Sequence, residues 1–156
     1  MSTAHYVFPA SFAQQRLWFL DQLEGASAVY NLKMALRLSG RLDHDSLQRA
    51  VDAVVARHES LRTSFATRGV DAVQRVANQL GVPVQTQEFH GASDTVLAAR
   101  LNELGSASFD LQRGPLLRVH LLRLDAEATE HVLLLVMHHI VSDAWSAGVL
   151  YRDLAA

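Results

Sequence analysis

One run of residues constrains this chain more than any other: Leu133-Leu134-Leu135-Val136-Met137-His138-His139-Ile140-Val141-Ser142-Asp143-Ala144-Trp145. An unbroken apolar stretch of strand length, with no polar face, predicts a strand buried on both sides. Two histidines and an aspartate follow where that strand should end. Buried strands seldom finish in titratable rings without a reason, because a buried polar group needs a partner. Neighbours on a strand point to opposite faces. Only one of His138 and His139 can therefore face a given cleft, and the other turns into the structure.

The rest of the chain alternates element types. Ser11 with Gln14 fits a capping box that opens a helix running to about Leu23. From Tyr30 to Ser39, Leu32, Met34, Leu36 and Leu38 share one face, which predicts a half-buried strand ended by Gly40. Asp43 is placed to cap a helix in which Leu47, Ala50, Val51, Val54, Val55 and His58 follow helical spacing. A short strand is expected over Leu61 to Phe65. Arg68-Gly69 turns it into a second strand near Ala72 to Val76, and a weaker strand follows over Val82 to Phe89. Ser93 caps a helix carrying Val96, Leu97, Leu101 and Leu104. After Gly114-Pro115, Leu116 to Leu124 and the buried strand Val132 to Met137 read as a hairpin, and Ser146 to Leu154 as a last helix. The fold class expected is α/β in the two-layer α+β sense, a mixed β-sheet flanked by helices.

Composition excludes several functions. The chain has 156 residues, enough for one domain or a compact half of a larger one. Its net charge of −2 offers no electrostatic footprint for nucleic acid. It has no cysteine, hence no thiol nucleophile and no disulfide framework. Neither a basic leader nor a long apolar stretch is present, so no membrane span is expected and a cytoplasmic protein is the default. A His-His-Asp metal site is also disfavoured. Adjacent strand histidines diverge, and no further cluster supplies the remaining ligands.

Three long segments, in order, resemble the core motifs of condensation domains from nonribosomal peptide synthetases. They are Ser11-Phe12-Ala13-Gln14-Gln15-Arg16-Leu17-Trp18-Phe19-Leu20, Arg57-His58-Glu59-Ser60-Leu61-Arg62-Thr63-Ser64-Phe65, and Met137-His138-His139-Ile140-Val141-Ser142-Asp143-Ala144-Trp145-Ser146. The third is similar to the His-His-x-x-x-Asp-Gly active-site motif, and Tyr151-Arg152-Asp153-Leu154 looks like the opening of a fourth. The resemblance implies a chloramphenicol-acetyltransferase-like fold, in which two similar halves form a V around the active site. Residues 1–156 correspond to the N-terminal subdomain alone, without the C-terminal one.

The implied reaction joins a carrier-bound acyl or peptidyl thioester to a carrier-bound amine, as in antibiotic biosynthesis. The domain itself binds no cofactor, because both substrates arrive on phosphopantetheine arms of donor and acceptor peptidyl carrier proteins. The adjacent adenylation domain and the C-terminal condensation subdomain are further expected partners, and the isolated half is expected to be inactive. A thioester is already activated, so neither a covalent intermediate nor a Ser-His-Asp triad is required.

The resemblance implies that His139 is the catalytic group, positioning the amine and handling its proton. His138 is expected to be structural. Asp143 has two readings: a carboxylate partner for His139, or an ion pair with Arg62. The resemblance favours the pair with Arg62, since a buried guanidinium needs a carboxylate. Ala144, Trp145 and Ser146 are the candidates for lining the substrate's approach. Ala144 stands where the family usually has glycine; either its methyl narrows the tunnel or the backbone there is ordinary. Ser27-Ala28-Val29-Tyr30-Asn31 and His138 to Ser146 look most like elongation domains that take an L-configured donor. Two alternatives remain beside this reading: another acyl-CoA-dependent acyltransferase of the same superfamily, and a non-catalytic docking or recruitment module.

Overall fold

The computed structural model describes residues 5–155, and the first described element is a strand that the sequence pattern does not announce: β1 (His5–Pro9). All five of its residues are exposed, so it carries no apolar alternation to read. Helix α1 (Phe12–Glu24) follows. Ser11 Oγ accepts from the Gln14 N–H and Gln14 Oε1 accepts from the Ser11 N–H, the reciprocal capping expected. Strand β2 spans Asn31–Ser39 and helix α2 spans His44–Arg57. The Asp43 carboxylate accepts from the Ser46 N–H and caps α2, whose Leu47, Val51, Val54 and Val55 are buried.

The next segment departs from expectation at its start. Leu61 and Arg62 lie in a 3-10 turn (Glu59–Arg62), and strand β3 begins only at Thr63 and runs to Arg68. The Leu61 N–H donates to the His58 carbonyl, continuing the helix end as a tighter turn. Leu61 is buried all the same, because the turn rather than strand alternation aims it inward. Gly69, at φ +65°, makes the reversal into β4 (Asp71–Ala77). There follow β5 (Val84–Glu88), α3 (Asp94–Gly105, capped by Ser93), β6 (Leu117–Arg123), β7 (Glu130–His138) and α4 (Ala144–Ala155).

Among the described residues the strands form two sheets rather than one. The larger has the order β2-β7-β6-β5, with β5 parallel to β6 and the other pairs antiparallel, which is the mixed sheet expected. The smaller, β1-β4-β3, is antiparallel. Turn chemistry explains the separation. The Gly69 hairpin pairs β3 with β4, and β1 then adds to β4's free edge.

The larger sheet is covered on both sides. Leu117, Val119, Leu121, Leu133, Leu135 and Met137 pack on α2 and α4 through Val51, Val55 and Leu150. On the opposite face, Leu134 and Val136 meet Trp18, Phe65, Phe109 and Ile140, while Leu122 and Val132 meet Leu97 of α3. Strand β7 is therefore buried from His131 to His138, which accounts for its apolar run. It delivers its C-terminal end to the place where α1, the 3-10 turn and α4 converge.

Candidate active site

His138 is the last residue of β7, paired opposite Asn31 on β2. Its ring is buried, edge-on to Phe109 and tilted against Tyr30. The Ile140 N–H donates to His138 Nδ1 at 3.1 Å. Nδ1 thus carries no proton, and the neutral ring holds its hydrogen on Nε2. Burial, with a smaller contribution from neighbouring His139, lowers the His138 pKa to about 4. This ring is buried and neutral at physiological pH.

His139 leaves the strand in the opposite sense and is exposed. Its backbone N–H donates to the Tyr30 carbonyl at 2.8 Å, which ties the residue to the start of β2. Its ring Nδ1 lies 2.8 Å from the Ser142 carbonyl oxygen. A carbonyl only accepts, so Nδ1 carries the hydrogen, and in the neutral ring Nε2 presents a lone pair. Nε2 has no partner among the described residues. The two adjacent histidines thus hold opposite tautomers, each set by a backbone group of the turn that follows.

That turn also starts α4. The Val141 N–H closes on the His138 carbonyl at 3.1 Å. Asp143 then accepts from the Ser146 N–H at 2.7 Å with Oδ1, and its carbonyl accepts from the Ala147 N–H at 3.0 Å. Asp143 is therefore the N-cap of α4. Hydrogen bonds from Ser146, first from its backbone and then from its side chain, hold the Asp143 carboxyl below the usual carboxylate range.

The ion pair expected between Arg62 and Asp143 is not formed. Arg62 gives its hydrogen bonds to backbone carbonyls: Nε to Val55 at 3.1 Å, one terminal nitrogen to Ala77 and Asn78, the other to Ala56. Val55 and Ala56 belong to the last turn of α2, whose carbonyls have no partner within the helix. A cation is favoured there by unmet acceptors and by the helix dipole. The guanidinium's need for acceptors is met by carbonyls, and Asp143 is used locally as a cap. The alternative reading, a carboxylate bonded directly to His139, is not formed either: His139 Nδ1 is held by Ser142, and Asp143 feels the ring only through a minor charge interaction.

A different charged contact joins these elements. His58 Nε2 lies 2.7 Å from Asp153 Oδ2, and Arg57 Nε lies 3.4 Å from the same oxygen. The His58 contact is the largest cause of the lowered Asp153 pKa. The end of α2 is thereby fastened to α4. Nothing in the separate segments pointed to this contact, because its partners are 95 residues apart.

His139 opens on a cleft of about 300 Å³. Its other walls are Ser142, Asp143 and Ser146, the first turn of α1 and Ser60. Gln14 bridges the walls, donating from Nε2 to the Ile140 carbonyl at 3.3 Å and to Gln74 Oε1 at 3.1 Å. The capping box marked Gln14 as a structural residue, and it serves in addition as a tie to the histidine loop. Ser146 lines the cleft, and Trp145, 78% exposed, lines the adjoining one under α4. The side chain of Ala144 lies outside the described residues, and so does the question of whether its methyl narrows a tunnel. Among the described residues there is no cluster able to hold a metal ion, and no helix long and apolar enough to cross a membrane.

Comparison with known proteins gives consistent results. The family model described as "Condensation domain" matches residues 4–156. Chondramide synthase cmdD of Chondromyces crocatus is 44% identical over 154 residues, covering 96% of this chain and 4% of that protein. Malpibaldin synthetase of Mortierella alpina is 44% identical over 147 residues, covering 92% of this chain and 3% of that protein. The chain therefore spans a small fraction of the synthetases it matches. Among solved structures, the X-domain from teicoplanin biosynthesis, in complex with OxyB, superposes with a TM-score of 0.84 at 36% identity, over 100% of this chain and 33% of that one. The starter condensation domain of rhizomide synthetase RzmA superposes with a TM-score of 0.85 at 21% identity, over 96% of this chain and 38% of that one, a likeness of fold.

Proposed function

The chain belongs to the condensation-domain family, and from that premise we propose that it is the N-terminal subdomain of a domain forming amide bonds between two carrier-bound substrates. The amine nitrogen of the acceptor attacks the thioester carbonyl carbon of the donor. A C–N bond forms, and collapse of the tetrahedral adduct breaks the C–S bond. His139 Nε2 takes the proton that the nitrogen sheds and passes it to the departing thiolate, so the donor carrier leaves as a thiol. Oriented proton transfer of this kind contributes roughly 10²–10⁴-fold. Holding two tethered substrates in line contributes as much or more.

The observation that carries this reading is the state of the His139 ring. It is exposed in a cleft, its Nδ1–H is spent on Ser142, and a basic Nε2 is left free. His138 and Asp143 support the site by anchoring the turn and by capping α4, and Arg62 does so by closing the end of α2. The partners in this reading are the donor and acceptor carrier proteins, an adjacent adenylation domain and the C-terminal condensation subdomain. The substrates arrive on phosphopantetheine, the domain holds no cofactor of its own, and the setting is cytoplasmic.

The test is His139→Ala in the complete two-part domain, assayed with two loaded carrier proteins. Condensation is expected to fall at least roughly a hundredfold, with thermal stability and carrier binding near those of the parent. Near-full activity in that variant would sink the assignment. The likeness to an X-domain solved with OxyB favours one second reading, a recruitment module. On that reading the complete domain binds a partner protein and makes no amide bond whether or not His139 is present.

A further inference from the structure

A second cleft, of about 190 Å³, adjoins the one that holds His139. Ser60, Val141, Ser142 and Ser146 line both, so the two clefts are neighbours on either side of that wall. Its inner surface is apolar, built from Leu61, Met137, Val141, Val149 and Leu150. All of these except Val149 are buried residues of the core. Packed interiors leave few voids, because an unfilled space forfeits contacts on every wall. An engineered apolar cavity of about 150 Å³ is large enough to bind benzene. His58 also lines the cleft, but its Nε2 is already engaged by Asp153 at 2.7 Å, so that nitrogen is not free to meet a ligand. No Asp, Glu, Lys or Arg lines the cleft, so a charged group entering here would lose hydration without finding an ion-pair partner.

Resting on the condensation reading above, we propose that this cleft is the side-chain subsite of the reaction, receiving a neutral apolar side chain of leucine or phenylalanine size from one of the two tethered substrates. The reacting atoms then lie beside His139 while the side chain passes the Ser142–Ser146 wall into the space under α4. Val149 is the residue to perturb. It lines this cleft but not the one holding His139, and it is not part of the buried core. Val149→Phe fills the space and Val149→Ala enlarges it.

Two arms test the proposal. In the first, the 156-residue chain is titrated with N-acetylphenylalanine amide, with N-acetylglycine amide as control. Methyl resonances of Met137, Val149 and Leu150 are expected to shift with the first compound and not the second, and Val149→Phe is expected to abolish the response. In the second arm, the complete domain condenses loaded carriers in which one residue at a time, donor or acceptor, is glycine, leucine or phenylalanine. Val149→Phe should stay within about twofold of the parent for glycine and lose roughly tenfold to a hundredfold for the larger side chain, the range over which apolar pockets discriminate. Val149→Ala should shift preference toward phenylalanine. Whichever substrate shows the loss identifies the source of the side chain. Equal loss for every pair, or no loss for any, overturns the subsite. Failure of the parent to join even glycyl substrates overturns the condensation reading instead. In that case the first arm still decides whether the cleft binds an apolar side chain.

Discussion

The burial of His138 predicts how the chain responds to acid. Its folded pKa is about 4, against an ordinary value of 6.5. The unfolded state therefore binds a proton between those values that the folded state refuses, and stability rises with pH across that window. The contribution is intact above about pH 6.5 and is lost progressively as pH falls toward 4. A shift of this size is worth up to ~3 kcal/mol, and about 2 kcal/mol once solvent screening at the site is allowed for. The perturbation is His138→Asn, whose side-chain oxygen can accept the Ile140 N–H but does not titrate. Urea unfolding followed by circular dichroism at pH 7 and pH 4.5 gives the measurement. The variant should be less stable at pH 7, through lost packing of the ring on Phe109 and Tyr30. Its loss between the two pH values should be smaller than the parent's by about 2 kcal/mol. Carboxylates with lowered pKa, such as Asp43 and Asp125, titrate alike in both proteins and cancel in the comparison. Parallel pH profiles for parent and variant would refute the claim that His138 is a buried neutral ring.

Arg62→Ala should destabilise the chain by about 2 kcal/mol through lost bonds to the carbonyls of α2. Combined with Asp143→Ala its effect should add, because the two touch different groups; a strongly non-additive cycle in denaturant unfolding would restore the ion pair. His58→Ala and Asp153→Ala should instead be sub-additive, since each removes the same contact between α2 and α4, and full additivity would show that contact to be idle. The 156-residue chain by itself should form no dipeptide from two loaded carriers, because positioning requires both walls of the cleft; robust product would contradict the two-part reading.

The elements that local chemistry specifies were legible in the sequence. Ser11, Asp43 and Ser93 cap the helices expected of them, and the apolar run of β7 is buried on both faces. The divergence of His138 and His139 followed from strand alternation, and the structure places one ring inside and the other out. What escaped was decided by competition between distant groups. Strand β1 has no alternation of polar and apolar residues, and only the free edge of β4 gives it a place. Arg62 illustrates the point for the site. A guanidinium that must be satisfied can be paired on paper with any carboxylate that the motif supplies, and Asp143 was the one at hand. The fold offers something nearer: the carbonyls of Val55 and Ala56, left open where α2 ends one turn before Arg62. Asp143, freed from that duty, meets an equally local demand at the start of α4. Both residues are committed to opposite ends of two helices, and the ends of those helices frame the turn that holds His139. The pairing that the resemblance favoured thus gives way to two local contacts, because each group found its acceptor or donor at the nearest helix end.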